Sequence, residues 1–75
     1  MKINLHGVYE NIEETGDRYY IVKKTHRNNY KALYNIAGTN VVFDTLISSK
    51  FLKDCCKYVG QSVANWNNLF EVKDE

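Results

Sequence analysis

The chain has 75 residues, with ten Lys and Arg against nine Asp and Glu, a net charge of +1, six Tyr, three Phe and no Pro. That length makes one domain with a modest core, marginal in stability alone, so a homodimer would help it. An apolar fraction of 44% excludes a disordered chain, and the near-neutral charge excludes a polyanion mimic or a strong global pull on nucleic acid.

Residues 2–9 alternate, with Ile3, Leu5, Gly7 and Tyr9 on one side and Asn4, His6 and Val8 on the other. Period two predicts a strand. Glu10 to Asp17 is polar and ends in the turn signal Thr15-Gly16-Asp17. Arg18 to Lys24, rich in Tyr and β-branched residues, predicts a second strand. Thr25 to Asn29 is a polar connection, and Tyr30, Ala32, Tyr34 and Ile36 define a third strand. Ala37 to Asn40 makes a turn before a short fourth strand at Val41–Phe43.

Ser48 to Phe70 carries a helical rhythm. Ser48 or Ser49 is the N-cap, and Phe51, Leu52, Cys55, Val59, Val63, Trp66 and Phe70 recur at three- and four-residue steps. Gly60 interrupts the segment without shifting its phase. One continuous amphipathic helix and two helices with a turn at Gly60 both stay open. A straight helix would run roughly 33 Å, longer than a typical strand of roughly 20 Å, and would overhang the sheet. The expected fold is therefore α+β in a single domain, 1–75. A three- to four-stranded antiparallel meander (1–44) is followed by a C-terminal helical region (45–71) packed on one face.

The charge is uneven along the chain. Glu10, Glu13, Glu14 and Asp17 precede a stretch holding Arg18, Lys23, Lys24, Arg27 and Lys31 with no acid. A solvated hairpin edge kept soluble by Lys accounts for such a run. So does a contact surface, because exposed Tyr beside Arg or Lys suits a protein partner. The candidate partner-binding residues are Arg18, Tyr19, Lys23, Arg27, Tyr30 and Lys31.

If Gly60 is a turn, Cys56 supplies the small residue four places before it. Val59, Trp66 and Leu69 supply the apolar positions around it, and Ser62 caps the second helix. On these residues the segment resembles the helix-turn-helix of phage repressors. The run NVVFDTLISSKFLKDCCKYVGQSVANW resembles small phage-encoded proteins. The resemblance covers about a third of the chain and implies a duplex-DNA contact through Lys53, Lys57, Ser62, Asn65 and Asn68. Asn can pair with adenine in the major groove, but the second helix lacks the Lys and Arg that phosphates need.

Catalytic motifs are missing. No P-loop, dinucleotide glycine motif or nucleophile elbow occurs. His6 and His26 have no metal spacing with Cys55 and Cys56, and those adjacent cysteines read as reduced thiols rather than a disulfide. No cofactor or metal is expected. No stretch spans a membrane, and MKINLHG has no signal-peptide core, so a cytoplasmic setting is expected. The first reading is a non-catalytic binding protein of phage or mobile-element type that inhibits or modulates a host protein by direct contact. The alternative is a small DNA-binding transcriptional regulator.

Overall fold

A computed structural model describes residues 2–14, 16–63 and 70–72. Five strands and one short helix form in the order β1 (Gly7–Asn11), β2 (Arg18–Lys24), β3 (Asn29–Asn35), β4 (Val42–Ser48), α1 (Ser49–Cys55) and β5 (Cys56–Gln61). The first four strands are an antiparallel meander. The chain then crosses through α1 and adds β5 antiparallel to β1, giving the sheet order β4-β3-β2-β1-β5. β4 and β5 are thus the two edges of the sheet.

The antiparallel sheet and α+β class agree with the sequence reading, but the sheet has five strands rather than three or four, the first strand starts at Gly7 after a turn at residues 5–6 rather than at residue 2, and the helical part differs. Only Ser49–Cys55 is helical, and Cys56–Gln61 is a strand. The rhythm from Phe51 to Cys55 is real helix. Val59 and Val63 continue it numerically, yet Tyr58 and Val59 belong to the β-branched and aromatic types that favour strands. The first helix of the expected helix-turn-helix therefore ends at Cys55. The expected second helix, beyond Val63, lies outside the described residues up to Leu69. The fourth strand is longer than expected because Thr45 and Ile47 extend it to Ser48.

Ser48 caps α1, its side-chain oxygen accepting from the Phe51 N–H at 3.0 Å. Cys56 ends the helix in extended geometry. About two turns are enough to lay Leu52, fully buried, and Phe51 over the sheet. Phe51 meets the Tyr19 ring edge-on at 5.6 Å between centroids.

The register places one aromatic on every strand in a single row: Tyr58, Tyr9, Tyr19, Tyr34 and Phe43, each opposite the next. Tyr19 and Tyr34 stack at 4.8 Å and Tyr9 and Tyr58 tilt together at 5.3 Å. The middle of the row is core with Ile3, Ile21, Ala32, Leu52 and Cys56, while Tyr58 and Phe43 at its ends are exposed. Cross-strand aromatic pairs of this kind each contribute roughly 0.2–1 kcal/mol beyond Ala pairs.

Val8 is fully buried yet stands outside that cluster, because it alternates with Tyr9 and faces the other side of the sheet. The chain after β5 returns near there. Ser62 bridges Val72, and the Val63 N–H donates to the Glu71 carbonyl. The Arg18 guanidinium donates to the Phe70 carbonyl at 2.7 Å. Gly60, at φ 149°, faces the Val72 side chain so closely that a Cβ would stand 3.0 Å from it.

Candidate functional site: a cationic hairpin tip

β2 and β3 form a hairpin whose tip projects Lys23, Lys24, Thr25, His26, Arg27, Asn28 and Asn29 to solvent. The turn is closed by Thr25 N–H donating to the Asn29 carbonyl and Asn29 N–H donating to the His26 carbonyl, both at 3.0 Å. Arg27 adopts φ 53°, a left-handed geometry that few residues other than Gly, Asn and Asp take readily. The tip is tied to the body where the Ser49 N–H donates to the Asn28 carbonyl at 2.7 Å. It is a fixed protrusion held against the start of α1.

A bulge sets the charge arrangement. Ile21 pairs with Ala32, but the next pair is Lys23 with Lys31, leaving Val22 as the extra residue. Without the bulge, period two would place Lys23 on the same side as the buried Ile21. The extra residue turns Lys23 to the outer side, opposite Lys31, and spares the core a lysine. The consequence is two like charges directly opposite each other, an unfavourable cross-strand pair.

Among the described residues no ion pair forms at the tip. Their ion pairs are Arg18–Glu10 at 3.8 Å, Lys57–Glu10 at 3.6 Å and Lys50–Asp54 at 3.4 Å. None involves Lys23, Lys24, Arg27 or Lys31. Glu13, Glu14 and Asp17 lie in the β1–β2 connection, at the far end of the seven-residue β2. With a rise of about 3.3 Å per residue, roughly 20 Å separates the acidic and basic ends. The modest net charge of +1 conceals this separation.

Of the six residues the sequence suggested for partner contact, the structure gathers Lys23, Arg27, Tyr30 and Lys31 at this tip. Tyr30 packs partly against the core and presents the rest of its surface beside Lys24, its cross-strand neighbour. Tyr19 is instead buried among the core residues. Arg18 stands at the opposite end of β2, held by Glu10 and the Phe70 carbonyl. The unlocated signal was the bulge: strict alternation from Tyr19 cannot reveal that Lys23 changes sides.

The residues suggested for DNA contact are dispersed. Lys53 is exposed on α1, Lys57 pairs with Glu10 from β5, and Ser62 is buried in its bridge to Val72. Asn65 and Asn68 lie outside the described residues. His6, also left-handed at φ 63°, shares a 2.8 Å hydrogen bond between its Nδ1 and the Tyr20 hydroxyl. His26 is exposed in the turn. Among the described residues no three His, Cys, Asp or Glu side chains gather as a metal site, and no helix is long and apolar enough to cross a membrane. Burial pushes the Cys56 thiol up to about 11, with Cys55 adding to the effect. A thiol so held is protonated near neutral pH.

No family model matches this chain, nor does any curated protein or solved structure.

Proposed function

We propose that the chain is a non-catalytic binding protein, of phage or mobile-element type, that modulates a host protein by direct contact through the β2–β3 hairpin tip. The observation that carries this reading is the pairing of Lys23 with Lys31, beside Lys24 and Arg27, none of the four forming an ion pair among the described residues. Like charges opposite each other cost stability. An acidic partner surface would relieve that repulsion and be drawn in by long-range attraction. The outer part of the half-buried Tyr30 ring adds contact area at little entropic cost. The turn clamped to Ser49 keeps the tip pre-organised, which lowers the cost of binding.

The test is a pull-down from host lysate, with and without nuclease, comparing the wild-type chain with Lys23→Glu and Arg27→Glu. A specific protein retained after nuclease, weakened by added salt and lost with either variant supports the reading. A partner kept by both variants overturns it. Retention that disappears with nuclease transfers the surface to nucleic acid and favours the regulator instead. Lys23→Glu is also expected to leave the fold intact, since it replaces a repulsive cross-strand pair with an attractive one.

A further inference from the structure

β4 is an edge of the sheet, and it carries few of the features that keep edges from pairing. Its seven residues, Val42–Ser48, contain one charge, Asp44, and no Lys or Pro. Val42, Phe43 and Leu46 are exposed at 47%, 48% and 70%, so apolar surface stands on both faces of a strand whose outer edge is unpaired. Alternate residues of an antiparallel edge also present free N–H and C=O groups outward.

We propose that β4 pairs antiparallel with β4 of a second copy of this chain, joining two sheets across a two-fold axis at Thr45. The occupant is assigned by self-complementarity. A two-fold axis perpendicular to the sheet keeps each face continuous, so residues of the same parity must pair. Centring on Thr45, the midpoint of β4, uses the whole strand. Thr45 then faces Thr45 of the second copy, a favoured cross-strand pair. Phe43 faces Ile47, covering the exposed end of the aromatic row. Asp44 faces Leu46. Centring one residue earlier would set Asp44 against Asp44.

Charge decides further for this register. Lys31 is the β3 neighbour of Leu46 on the same face. Asp44 of one copy thus stands one strand from Lys31 of the other, about 10 Å between backbones at two strand spacings. Long flexible lysine side chains span much of that distance. Neither Asp44 nor Lys31 has an ion-pair partner among the described residues of the single chain. Asp44 is already the diagonal neighbour of Lys31 in its own chain, at about 7–8 Å, and the dimer brings a second carboxylate toward each Lys31. Leu46 and its symmetry mate become diagonal neighbours, within side-chain reach. This inference does not rest on the hairpin reading, because its measurement needs no other ligand.

The experiment is light scattering or sedimentation equilibrium on the full chain across a concentration series. The expected result is a concentration-dependent approach to twice the 8.8 kDa chain mass. Leu46→Asp, which sets a carboxylate opposite Asp44, is expected to weaken self-association by about tenfold or more. Leu46 is exposed at 70%, so the variant keeps its circular dichroism spectrum. Asp44→Lys is expected to weaken association likewise, and Asp44→Lys combined with Lys31→Glu to restore it. A chain that stays monomeric at every soluble concentration overturns the proposal. So does a dimer untouched by Leu46→Asp, which would place the interface elsewhere. Leu5→Asp, at an exposed residue away from β4, leaves the dimer unchanged.

Discussion

The Tyr34 hydroxyl donates to one carboxylate oxygen of Asp17 at 2.5 Å, and the Ala37 N–H donates to the other at 2.7 Å. This pair clips the end of β3 to the β1–β2 connection. The Ala37 N–H first, and the Tyr34 hydroxyl second, hold the Asp17 carboxyl below its ordinary value of 3.8. The same contact pushes the Tyr34 phenol up to about 12. The unfolded chain therefore binds the Asp17 proton more readily than the folded one. The contribution of Asp17 is present above about pH 4 and is lost as pH falls below it. Tyr34 acts in the opposite direction: its contribution is complete below its ordinary value of 10.0 and is lost as pH rises toward about 12. Denaturation followed against pH should show both flanks. Asp17→Asn should flatten the acid flank, and Tyr34→Phe should remove the Tyr34 share of the alkaline one. An unchanged acid flank in Asp17→Asn would contradict the assignment.

Gly60 separates the strand from the helix that the segment's rhythm suggested. In a helix interior, Gly60→Ala would gain about 1 kcal/mol. In β5, at φ 149° and with a new Cβ 3.0 Å from Val72, the same change has the opposite sign. Urea denaturation should show a loss on the order of 1–3 kcal/mol. A gain would restore the helical reading.

Arg27 holds a left-handed turn that suits glycine better. Replacing it with Gly should raise stability by on the order of 1 kcal/mol, since the Cβ penalty outweighs the entropic cost of Gly there. The same variant removes a cation from the hairpin tip. A higher melting temperature together with weaker partner retention is the expected pair of results. Lower stability would show that the Arg27 side chain holds the turn.

The two neighbouring cysteines should react unequally. Cys56 is buried, with its thiol pushed up to about 11, while Cys55 is only partly buried. A thiol reagent at neutral pH should modify one group per chain in the native state and the second only on unfolding. Two equally fast groups would place Cys56 outside the core.

The β2 boundaries, the polar turns and the Ser48 cap could be read from residue types, because each depends on local chemistry. The strand character of residues 45–48 and 56–61 could not. Leu46, Ile47, Phe51, Leu52 and Cys55 fall at helix-compatible steps, yet the first two belong to β4 and the others to α1. What decides between them is whether a segment finds a neighbouring strand. β5 finds β1, some fifty residues away in sequence, and no local pattern encodes that meeting. The same limit applied to the candidate site. The run of cations was visible, but its like-charge pairing follows from the bulge at Val22. Tyr19 and Tyr30 were indistinguishable as exposed candidates until the register put Tyr19 in the central row.

Because β1 lies between β2 and β5, the first strand of the sheet is completed by the last. During synthesis, β1 to β4 can assemble as nearest neighbours while one side of β1 stays bare. Closing that side requires a loop across almost the whole sheet, the kind of long-range contact that slows folding. The nascent chain thus carries an open edge beside Val8 and Tyr9 until Gln61 has left the ribosome. Docking of β5 is what closes that edge.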